Sequence, residues 1–192
     1  MINAIIKDYV NNLKQVLEKA NFNQIERVGN QLSIANRVFI YGAGRSGLVG
    51  KAFAMRLMHL GIEVFFIGET VTPAVAKGDA ILFISGSGNT VSVVNMLKIA
   101  KQQGLVVLGI TGEQSGKLHQ QADYVIYLKT KTKEKSGDYL TMQLLGTRRQ
   151  IAPMGTTFET AALITLDTLI AILMSKLGKT EADLKKRHAN LE

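Results

Sequence analysis

The sequence predicts a three-layer α/β sandwich, a five-stranded parallel sheet with helices on both faces, built as one domain over residues 1–192. Three observations predict it. Five short apolar runs, rich in β-branched and aromatic residues, recur along the chain as strands buried on both faces do. Segments with the apolar period of a helix separate several of them, which implies βαβ units with right-handed crossovers. Clusters of glycine and hydroxyl residues follow the first and third runs, where a parallel strand turns into its helix.

The elements follow in order. Ile2, Ile6, Val10, Leu13, Leu17 and Ala20 recur every three or four positions, so Ile2 to Ala20 reads as an amphipathic helix, and Ile25, Val28 and Leu32 suggest a second. Val38 to Tyr41 is the first strand; Val64 to Ile67, Ala80 to Ile84, Leu105 to Ile110 and Tyr124 to Leu128 are the others. Helices near Ser46 to Leu60 and Asn89 to Gln103 lie between them. Lys129 to Gln150 breaks the rhythm with a charge run, two glycines and Arg148-Arg149, and reads as a long, partly ordered loop. Helix resumes near Met154 and runs to Lys176; a last one starts at Thr180, where Asp183 fits the spacing of a capping box.

Composition narrows the function classes. The chain has no cysteine, which excludes disulfides, thiolate zinc sites and cysteine nucleophiles. Its start, MINAIIKDYV, lacks the basic, apolar and small-residue succession of a signal peptide, so the expected compartment is the cytoplasm. The most apolar stretch, Ala161 to Met174, contains Asp167 and falls short of a membrane span, so it reads as a core helix. A net charge of +8 suits phosphorylated small molecules or nucleic acid. Aromatic residues are few and do not interleave with basic ones, so no nucleic-acid partner is expected.

Two loops carry the chemistry. Gly42-Ala43-Gly44-Arg45-Ser46-Gly47 follows the first strand and opens a helix, turning backbone N–H groups and the helix dipole toward an anion. It also matches the glycine fingerprint of a dinucleotide site, with Glu69 about where a ribose-binding acid is expected. The second loop, Ser85-Gly86-Ser87-Gly88-Asn89-Thr90, decides between the readings: a dinucleotide fold has no use for three hydroxyls and an amide at a second helix mouth. A phosphate does, since each of its oxygens accepts several charge-assisted bonds. The plain structural alternative is a serine- and glycine-rich turn with Asn89 as an ordinary N-cap.

The succession GAGRSG, GET-VTPA, SGSGNT, APMGTTFE and RHANLE resembles the 6-phospho-3-hexuloisomerases, a branch of the sugar isomerase (SIS) domain family, over nearly the whole chain. SGSGNT alone indicates only SIS; the other motifs are more specific. Lys129 to Gln150 departs from the pattern by its length. The resemblance implies a flavodoxin-like or Rossmann-like SIS fold and interconversion of D-arabino-hex-3-ulose 6-phosphate and fructose 6-phosphate, a step of formaldehyde fixation by the ribulose monophosphate route. It implies no metal or organic cofactor, and a homodimer or homotetramer with sites at subunit interfaces. A non-catalytic sugar-phosphate-binding SIS module would keep the same loops and turn over nothing.

Moving the carbonyl from C3 to C2 requires removal of the C2 proton, a cis-enediol, and protonation at C3. Glu159, early in an apolar helix, is the candidate base; its alternative is an ion pair with an arginine such as Arg45, or a cap. Asp167 lies eight residues further along and about 80° round the helix. Histidine is the usual shuttle between O2 and O3. The RHANLE match favours His188; His59 is second, and His119 follows an expected turn and reads as exposed. Ser46, Ser85, Ser87 and Thr90 are the expected phosphate binders, with Asn89 supporting the turn, Arg45 supplying charge near the sugar, and Gly44 and Gly86 also expected to line the substrate site.

Overall fold

A computed structural model describes residues 2–130 and 155–191. Five parallel strands, β1 (Val38–Gly42), β2 (Val64–Phe66), β3 (Ala80–Ser85), β4 (Val106–Thr111) and β5 (Tyr124–Tyr127), lie in the order β2-β1-β3-β4-β5. Val38 stands beside Val64 on one side and Ala80 on the other. The order reverses between β1 and β3, and ligands in open α/β sheets sit outside the carboxyl ends of the strands at that switch point. Both glycine and hydroxyl loops lie there.

Burial on both faces explains why the strands read as unbroken apolar runs. Side chains alternate along each strand. Val38, Ile40, Leu82, Ile84, Leu108 and Ile110 join a core with helices α2 (Phe22–Ile34), α3 (Arg45–Leu60) and α6 (Thr156–Lys176). Phe39, Ile81, Phe83 and Val107 point the other way, toward Val93 and Leu97 of α4 (Val91–Gln102) and Leu118 of α5 (Lys117–Gln121). Helix α1 (Ile2–Glu18) lies on α6, and α7 (Glu181–Lys185) packs against α3.

The expected elements form, with local differences. Strand β2 ends at Phe66; Ile67 still donates its N–H to the Ile40 carbonyl at 2.9 Å and forms an isolated bridge with Glu69. Helix α5 was not expected: it has five residues, of which only Leu118 is buried, too few for a period to show. His119 follows the turn at Gln114 and Ser115 as expected but sits on this helix, half-buried rather than exposed and edge-on to the Tyr127 ring at 5.8 Å. The capping box at Thr180 and Asp183 forms. Helix α6 is long and apolar enough to cross a membrane, but Ala161, Ala162, Leu166, Leu169 and Leu173 are buried inside the domain, the core role expected of it. Most of the expected loop from Lys129 to Gln150, and the helix start at Met154, lie outside the described residues.

Candidate active site

At the end of β1 the chain turns sharply into α3. Gly44 takes φ 58° and ψ −132°, a conformation that strains any residue with a Cβ, and a Cβ added there would meet nothing within 4 Å. Gly47 is required for a different reason: its Cβ would lie 2.5 Å from the Gly42 carbonyl oxygen, where helix and strand touch. This contact draws the first turn of α3, with Arg45 and the buried Ser46, over the end of the sheet.

The second loop is preformed by its own hydroxyls. Ser85 Oγ accepts the Gly88 N–H at 3.2 Å and lies 3.2 Å from Thr90 Oγ1, and Ser87 Oγ accepts the Asn89 N–H at 3.3 Å. Gly86 is held from below, its carbonyl accepting the Gly112 N–H at 3.0 Å while the Phe158 ring fills the space its side chain would need. Asn89 is not the N-cap. Thr90 holds that position, and the Asn89 amide oxygen accepts the Lys117 N–H at 3.1 Å, tying the loop to α5 across 28 residues.

Helices α3, α4 and α6 have Gly44, Thr90 and Gly155 at their N-cap positions, and none of these three residues caps its helix with its own side chain. Thr90 would be a competent cap, yet its hydroxyl turns to Ser85. The first N–H groups of α4 are thus left for another acceptor, an arrangement suited to an anion.

Glu159 enters this edge from the first turn of α6. Its side chain is 13% exposed, and its Oε2 accepts from the Arg45 guanidinium, joining α6 to α3. That hydrogen bond, and then the carboxylate charge, raise the Arg45 guanidinium above its ordinary value. Oε1 faces Gly155, whose Cβ would lie 3.3 Å away. One carboxylate oxygen is therefore fixed by an arginine while the other has no hydrogen-bond partner among the described residues, as a proton acceptor requires. The alternative contact, an ion pair with Arg45, thus forms, and it leaves one oxygen without a partner among the described residues.

The histidines lie elsewhere. His59, on the last turn of α3, is buried and stacks on the exposed His188 with ring centroids 5.3 Å apart. Burial, then the nearby His188 and Arg56, hold His59 below the usual imidazole range. Fourteen residues of helix separate Arg45 from His59, about 21 Å. Within one chain the structure unites Arg45 and Glu159 with both loops but leaves the histidine pair at the opposite edge of the sheet. Asp167 is exposed on α6, about 12 Å along the axis from Glu159. Glu69 pairs with Lys51 at 2.5 Å, so the acid that a dinucleotide reading would place on a ribose already has a cation.

The sequence of residues 31–147 matches the SIS domain family. The chain belongs to the SIS domain family. Relatives of this SIS domain include the 3-hexulose-6-phosphate isomerase of Methanocaldococcus jannaschii, 41% identical over 88% of this chain and 84% of that one. The 3-hexulose-6-phosphate isomerase of Bacillus subtilis is 34% identical over 97% of both chains. A crystal structure of a Methanococcus jannaschii protein, for which a molecular function of 3-hexulose-6-phosphate isomerase has been inferred, superposes with a TM-score of 0.80. It is 39% identical, and the match covers 97% of this SIS domain and 98% of that chain.

Sequence reasoning did not single out a neighbour of Glu159 in this SIS domain. Tyr9, from α1, reaches the first turn of α6, with its hydroxyl 2.6 Å from Thr160 Oγ1. Its only sequence signal is a polar-tipped aromatic on an amphipathic helix, which also fits plain packing.

Proposed function

We propose that this SIS domain is a 3-hexulose-6-phosphate isomerase, interconverting D-arabino-hex-3-ulose 6-phosphate and fructose 6-phosphate. The observation that carries the reading is the company Glu159 keeps. A carboxylate with one oxygen fixed and one open stands at the same sheet edge as two loops of hydroxyls and uncapped helix starts. The names of relatives that match nearly the whole chain supply the substrate class.

In this reading Ser46, Ser85, Ser87 and Thr90 hold the phosphate, with the backbone of Gly44 and Gly86 close to it. Asn89 keeps the loop in shape through Lys117. Glu159 Oε1 removes the C2 proton of the open-chain 3-ulose and returns it at C3, while Arg45 faces the oxygens of the cis-enediol. The proton lost from O2 and gained at O3 needs a shuttle, and His188 with His59 fills that role from a second copy of the chain.

Helix α3 supports such a pairing. Its outer face exposes Leu48 and Met55, and Arg45 and His59 mark its two ends. Two copies packed with their α3 helices antiparallel would set the histidine pair of each against the Arg45 end of the other. Homodimers and homotetramers both allow it, and the proposed setting is the cytoplasm.

The experiment is turnover. Purified protein incubated with D-arabino-hex-3-ulose 6-phosphate and a chelator should form fructose 6-phosphate, followed by a coupled assay. Binding of the sugar phosphate without turnover would identify a sensing module instead.

A further inference from the structure

Helix α1 is held loosely along much of its length: only Val16 is buried, and Ile2, Ile6 and Val10 are exposed. Tyr9 breaks this pattern. Its hydroxyl lies 2.6 Å from Thr160 Oγ1 and 3.4 Å from the Thr156 carbonyl oxygen. The Thr160 hydroxyl donates to that same carbonyl at 2.9 Å, so its proton is committed and Tyr9 is the donor in the short bond. A relay results, from Tyr9 to Thr160 to the Thr156 carbonyl, spanning the first turn of α6.

Glu159 sits inside that turn. Gly155, at the N-cap position, offers this turn no side chain. Arg45 restrains the carboxylate from α3, while the Tyr9 relay restrains the backbone from α1. A base works only when its free oxygen is held within a fraction of an ångström of the proton it takes.

We infer that Tyr9 is a positioning residue for Glu159: through Thr160 it fixes the first turn of α6 and so the aim of Oε1. This rests on the reading of Glu159 as the base. Tyr9 touches neither substrate nor reacting atoms, so its loss lowers the rate of chemistry and spares binding.

Tyr9→Phe deletes one hydroxyl and keeps the ring. It should lower kcat about tenfold, keep KM within about twofold, and leave the unfolding temperature within about 2 °C. Thr160→Val should reproduce the effect, Thr160→Ser should restore most of kcat, and the double variant Tyr9→Phe/Thr160→Val should be no worse than either single one. Wild-type kcat in Tyr9→Phe, a change confined to KM, or additive effects in the double variant would overturn the inference. Glu159→Gln separates the two levels. If it retains turnover, the reading of Glu159 fails; if it is inactive while Tyr9→Phe is normal, only the role of Tyr9 fails.

Discussion

The two edges of the sheet handle polar groups in opposite ways. At the amino edge they are closed off against one another: Asp79, 1% exposed, accepts from Arg37 at 2.6 Å and from the Ala76 N–H at 2.8 Å. Asp123 likewise takes the Val107 N–H at 2.8 Å and the Lys101 ammonium at 2.5 Å. At the carboxyl edge, around the switch point between β1 and β3, α3 and α4 start without a side-chain cap and Glu159 keeps one oxygen without a hydrogen-bond partner among the described residues. Side-chain caps are affordable in this fold, since Asn21 caps α2 and Thr180 caps α7, both away from the switch point. The proposed function accounts for this contrast by giving the first N–H groups of α4 to a bound phosphate.

The contrast can be broken at its strongest point first. Glu159→Gln should lower kcat by about two to four orders of magnitude while binding of fructose 6-phosphate persists, read by steady-state kinetics and calorimetry. Ser87→Ala is a milder test. It should raise KM about tenfold with a smaller change in kcat, because the hydroxyl binds ground state and transition state alike; an unchanged KM would remove Ser87 from the phosphate site.

The smallest effect belongs to the amino edge. His59, held below the ordinary imidazole range by burial, binds its proton less readily folded than unfolded. Its contribution to stability is therefore present above about pH 6.5 and is lost as pH falls through that value toward its lower folded value. His59→Gln should flatten the decline in unfolding temperature between neutral and mildly acidic pH, and a slope identical to wild type would show that His59 is not its source.

Much of this was legible in the sequence, for physical reasons. Val38 to Tyr41 and Ala80 to Ile84 could be read as strands because both faces of the sheet are covered, which leaves no polar position inside them. The two loops could be read because glycine at a close approach and clustered hydroxyls are local features. Helix α5 could not, because one buried leucine in five residues carries no period. The supporting role of Asn89 was legible, but its partner, the Lys117 N–H, was not, because only the folding of β4 and the turn after it brings the two together. Tyr9 and Thr160 meet across 151 residues, and only their packing makes them a pair. The separation of the histidines from Glu159 follows from the length of α3, which the sequence contained, but only the structure shows which end of the helix faces the loops.

A crystal structure with fructose 6-phosphate bound tests the central claim most directly. The account predicts the phosphate within hydrogen-bond distance of Ser85, Ser87 and Thr90 and the C2 end of the sugar against Glu159 Oε1, with the Arg37–Asp79 edge untouched. A sugar phosphate bound elsewhere, with both loops empty, would contradict it.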